Sequence, residues 1–114
     1  MSDYLPAVYV SFRADYPEIA SRLDALAAAA DVAGTLSERD RRLVKLGIAI
    51  GRESEGALRS NVRKARSAGI PDEQIRQAAM LAVTTAGFPT AIASMQWVDE
   101  VLAAERDQSS DKEV

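Results

Sequence analysis

Between Ala65 and Gln77 the chain reads ARSAGIPDEQIRQ, with a glycine and a proline two residues apart. Glycine tolerates the left-handed backbone that closes a helix, and proline fits the first turn of the next helix but cannot extend the previous one. The stretch therefore admits two helices joined by a minimal turn. Asp72 and Glu73 follow, where the positive end of the second helix favours carboxylates. The same punctuation runs along the rest of the chain. Pro17 suits a helix start, and Ile19, Leu23 and Leu26 recur at helical spacing before Gly34. Ser37 is placed to cap ERDRRLVKLGIAIG, where Leu43, Leu46 and Ile50 form one stripe and Val44 and Ile48 a second, so that both sides of this helix are expected to be covered. A third helix is expected over Glu55–Ala68. A fourth, from Pro71 through DEQIRQAAMLAVTTAG, is charged only at its start and apolar on nearly all sides afterwards. Gly87-Phe88-Pro89 makes a turn into a last helix carrying Ile92, Met95, Val98 and Leu102 on one face. The expected fold is all-α, a bundle of about five to six helices. It forms one domain over residues 1–106, with an irregular arm over 1–15 that carries Tyr4, Tyr9 and Phe12, and a disordered tail over 107–114.

A fourth helix that is apolar all round must lie in a large core or in an interface, and 114 residues make a small core. Oligomerisation is the better expectation. The chain has no cysteine and no histidine. It therefore carries no thiolate nucleophile, no redox dithiol, no imidazole base and none of the commonest zinc ligands. Neither a metal nor a cofactor is expected. Chemistry is left to carboxylates, Lys, Arg, Tyr, hydroxyls and amides. A net charge of −3 argues against nucleic acid as a partner. The start MSDYLPAVYVSF has no basic region followed by a long apolar run, and the longest strongly apolar stretch, Ala78–Val83, is too short to cross a bilayer. A cytoplasmic protein without membrane contact is expected.

At about 3.6 residues per turn, Ser54, Ala57, Leu58, Asn61, Ala65 and Ala68 share one face of the third helix, while Glu55, Arg59, Arg63 and Arg66 fall on another. Asn61 thus stands in an apolar stripe. It is either a core amide satisfied by a neighbouring helix, Thr84 or Thr85, or a polar group aimed into a cavity. Glu55 and Arg59 have the favourable i, i+4 order of an exposed ion pair, and Glu55 becomes an acid or base only where a pocket desolvates it. Arg59, Arg63 and Arg66, with Lys64 beside them, suit a solvated or inter-subunit face, or the binding of a carboxylate or phosphate. Trp97 is most simply a core or interface anchor.

Taken in order, LSERDRRLVKLGIAIG, RKARSAGIPDEQI and GFPTAIA resemble the carboxymuconolactone decarboxylase / alkylhydroperoxidase D-like superfamily over about Leu36–Val101. The resemblance implies an all-helical subunit built on a helical hairpin and assembled as a homo-oligomer, a trimer or hexamer. Peroxidase-type members of that superfamily carry CxxCxxxH at the start of the third helix. Laid on this chain without gaps, the two cysteines fall on Ser54 and Ala57 and the histidine on Asn61, while a family glutamate upstream falls on Arg42. Disulfide-based peroxide reduction is therefore not available to this chain. Decarboxylase-type members lack the cysteine pair. By that resemblance Arg59 or Arg63 would bind a substrate carboxylate, Asn61 or Ser54 would hydrogen-bond a lactone, Glu55 would deliver a proton, and Ala57 would line the pocket.

Two functions follow as expectations. One is a small-molecule enzyme or binder without thiol redox chemistry, with decarboxylase-like action on a lactone or related acid as its enzymatic form. The other is a non-catalytic oligomeric interaction or structural module on the same fold. Nucleic-acid binding through Arg59, Arg63, Lys64 and Arg66 ranks behind both.

Overall fold

The computed structural model describes residues 6–113, with side chains through Gln108. Six α-helices and one 3-10 turn account for nearly all of it, with no strand among the described residues. Where the sequence suggested one domain, the chain divides into two compact units, meeting between Leu36 and Ser37.

The first unit is a helical pair, α1 (Ala7–Asp15) and α2 (Pro17–Asp31). The arm expected to be irregular is therefore helical from Ala7; Tyr4, with the rest of residues 1–5, lies outside the described residues. Two i, i+4 aromatic contacts support this helix. Arg13 lies 5.6 Å from the Tyr9 ring centroid, and the Phe12 and Tyr16 rings are 5.7 Å apart. Arg13 also grips Asp24 of α2 with two hydrogen bonds, at 3.0 and 2.5 Å. That grip holds the Asp24 carboxyl below its ordinary range and the guanidinium above its own. Ala20 is the one buried residue of the pair; Ile19, Leu23 and Leu26 are all at least half exposed.

The second unit holds the core. It comprises α3 (Glu38–Gly51), α4 (Glu55–Ser67), α5 (Asp72–Met80), a 3-10 turn (Leu81–Val83) and α6 (Phe88–Glu113). Ser37 caps α3 as expected, its Oγ accepting from the Asp40 amide at 3.1 Å. Leu46 and Ile50 of α3, Leu58 and Val62 of α4, Ile75 of α5, and Val98 and Leu102 of α6 are fully buried together. Trp97 packs against this cluster half-buried. Between Pro89 and Glu113 no glycine or proline interrupts the backbone, so α6 runs on through the segment expected to be disordered, with Val114 outside the described residues. The fourth helix is shorter than expected. It ends at Met80, and Met80, Leu81 and Val83 stay 52%, 58% and 38% exposed. The second stripe of α3 is uncovered too, with Val44 at 50% and Ile48 at 58%.

Both turns that flank α4 are closed alike. At Gly69 (φ 87°) the amides of Gly69 and Ile70 bond the carbonyls of Arg66 and Ala65. After α3 the amides of Glu53 and Ser54 bond those of Ile50 and Ala49, and Glu53 adopts φ 54°. A side chain in that left-handed conformation costs about 1–2 kcal/mol relative to the right-handed one. The Glu53 carboxylate in turn accepts a 2.6 Å hydrogen bond from Thr90 Oγ1, which anchors the turn to α6.

Candidate functional site

α3 and α5 run side by side, and between them lies an open groove of about 530 Å³. Two regular helical stripes line it. Arg39, Leu43, Gly47 and Ile50 come from α3, at steps of three or four residues. Gln74, Gln77, Ala78, Leu81, Ala82 and Thr85 come from α5 and the turn after it. A Cβ built on Gly47 or Gly51 meets nothing within 4 Å, so these glycines are not demanded by close packing; they leave space. At one end Arg39 donates to the Gln74 side-chain oxygen, and it also makes a long, exposed ion pair with Asp40 at 3.7 Å. At the other end the Thr85 hydroxyl donates to the Leu81 carbonyl at 2.9 Å. Among the described residues that line the groove, Arg39 is the sole charged group.

The candidate site residues of the sequence, Ser54, Glu55, Ala57, Arg59, Asn61 and Arg63, lie on α4 or at its N-cap, and none of them lines this groove. Ser54 stands at the N-cap of α4, half-buried, and its side chain makes no capping bond. Glu55, in the first turn, has a side chain 53% exposed that pairs with Arg59 at 3.0 Å. Arg59 also reaches Glu100 of α6 at 3.1 Å. Partial burial disfavours the Arg59 charge, but its hydrogen bonds to Glu55 and Glu100 outweigh this and hold the guanidinium above its ordinary value. Asn61 is half-buried and donates to the Ala57 carbonyl one turn back at 2.8 Å, so its amide is satisfied within its own helix rather than by Thr84 or Thr85. Both threonine hydroxyls serve the Leu81 carbonyl instead. Arg63 and Ala57 are half-buried, and Ala57 packs against the core. The structure thus joins Glu55 with Arg59 and Ala57 with Asn61, each pair within one turn of helix.

Sequence reasoning missed the groove residues Arg39, Gln74 and Gln77. The signal that points to them is Gly47 in the interior of α3, where glycine costs about 1 kcal/mol against alanine. No helix among the described residues is long and apolar enough to cross a membrane, and no cluster of carboxylates there could hold a metal ion.

The hairpin of α3 and α4, the buried face of α6 and the absence of cysteine define a thiol-free, all-helical hairpin bundle. The sequence matches the model of the carboxymuconolactone decarboxylase family over residues 17–100, and the chain belongs to that family. No individual curated protein matches the sequence significantly.

Proposed function

We propose that this chain is a small-molecule binder without thiol redox chemistry, and that the α3–α5 groove holds its ligand. The groove itself is the observation that supports this reading. Its volume lies within the ~300–1,000 Å³ of typical ligand sites, and a few polar groups edge a mostly apolar surface. Decarboxylase-like action would need an acid to protonate the developing enolate. Among the described residues the groove offers a guanidinium, two amides and a hydroxyl, and no carboxyl. Binding is therefore better supported than turnover there, and lactone decarboxylation would have to draw on Glu55, Asn61 and Ser54 of α4. A thermal-shift screen against carboxylated lactones, keto acids, flavins and hydroperoxides tests the reading, with Gly47→Leu in parallel. The leucine enters open space and fills the groove. At least one compound is expected to stabilise the parent, by about 2.7 kcal/mol at a hundred times its Kd, and to leave Gly47→Leu unmoved. A silent screen, or equal shifts in both proteins, would count against a groove ligand.

A second reading, that the chain is a homo-oligomeric module, a trimer or hexamer, draws on different residues. Val44 and Ile48 on α3, and Phe88 (62%) and Ile92 (52%) on α6, are exposed apolar pairs one turn apart. Single exposed apolar residues are ordinary, but stripes of them suit an interface. Light scattering after gel filtration is expected to give a multiple of 12.3 kDa, reduced by Val44→Lys with Ile48→Lys. A parent of 12.3 kDa at tens of micromolar would remove this reading.

A further inference from the structure

Resting on the groove as the binding site, we infer that its ligand is an elongated apolar molecule with a single anionic head, of the type of a medium-chain carboxylic acid. The two lining stripes begin together, since Arg39 of α3 meets Gln74 of α5, and they run on to Gly51 and Ala86. At a rise of about 1.5 Å per residue, the twelve steps from Arg39 to Gly51 make a trough roughly 18 Å long.

Its polarity is graded along that length. At the Arg39 end the Gln74 oxygen is occupied by the guanidinium, which leaves the amide NH2 of Gln74 and the remaining guanidinium N–H groups as donors. Among the described residues the carboxylate paired to Arg39 is that of Asp40, 3.7 Å away with both side chains about half exposed. A pair of that kind is weak, so an incoming carboxylate competes with it on good terms and can gain the bidentate geometry that guanidinium offers. Beyond this end the floor is Leu43, Gly47, Ile50, Ala78 and Ala82, with Gln77 the polar group alongside. At the far end Thr85 has turned its proton to the Leu81 carbonyl, so it presents no donor to a ligand. A cationic head would meet Arg39, and a dianion would have one end without a partner. One negative charge at one tip satisfies the whole trough.

The test is calorimetric titration of the full chain with decanoate, 1-decanol and decylammonium below their aggregation limits, repeated on Arg39→Met and Gly47→Leu. Circular dichroism verifies that the variants stay helical. Decanoate is expected to bind the parent at least about ten-fold more tightly than either other probe, the size of one good charge-assisted contact. Arg39→Met should remove that preference by weakening decanoate far more than decanol, and Gly47→Leu should abolish binding of all three. Equal affinity for the three head groups, or a preference that survives Arg39→Met, overturns the anionic ligand but leaves the groove standing if Gly47→Leu still blocks. Decanoate binding that persists in Gly47→Leu overturns both. If the parent does not bind decanoate, this inference falls, and the groove falls with it only where the wider screen is silent too.

Discussion

Leu58→Ala is expected to lower the unfolding free energy by about 2–5 kcal/mol, toward the upper end of that range. Leu58 is 0% exposed near the start of α4, and much of the surrounding core is alanine: Ala49, Ala65, Ala79 and Ala91 are all buried in the same cluster. Side chains of that size cannot move into the space a leucine leaves, so the cavity stays open and costs its full contact energy. For a domain of this size each kcal/mol corresponds to roughly 4–8 °C in Tm, so the drop should be plain in a thermal melt followed by circular dichroism. A loss below about 1 kcal/mol would mean that the core rearranges around the gap.

Ser94→Ala is expected to act in the opposite direction. Ser94 is fully buried on α6, and its Oγ is the one buried side-chain polar atom without a hydrogen-bond partner among the described residues. An unsatisfied buried hydroxyl costs about 1–3 kcal/mol, and alanine also has the higher helix propensity. Urea denaturation should show a higher midpoint at an unchanged slope, equivalent to a gain of about 1–2 kcal/mol. A loss of stability would reveal a partner for the hydroxyl, such as a buried water or the backbone one turn earlier.

Helices α3 to α6 were legible where their boundaries are written in local chemistry: the Ser37 cap, Gly69 before Pro71, and the Gly87-Phe88-Pro89 turn; the ends of α5 at Met80 and of α6 at Glu113 carry no such mark. The start of α1 was not legible. Its valines and aromatics have no helical signature, and it is held by pairings such as Arg13 with Asp24, eleven residues apart. On α4 the periodicity found Leu58 and Ala65, but the buried face also includes Val62 and leaves Asn61 and Ala57 at its margin. The helix packs between α3 and α6, so its covered arc is set by two neighbours rather than by one amphipathic stripe. The family was legible because residue order carries it. The groove was not, because it exists only once α3 lies beside α5, bringing together Arg39 and Gln74 from positions 35 residues apart. No window along the chain contains both.

A trough whose sole ionisable group among the described residues is a guanidinium has a consequence for scale. A guanidinium carries donors and no acceptor, so it cannot take up a proton from a ligand and return it. If the ligand stays in the trough unchanged, each chain accounts for one molecule at a time, however long it waits. Capacity would then follow copy number rather than elapsed time, and the quantity to compare with ligand concentration is the abundance of the protein.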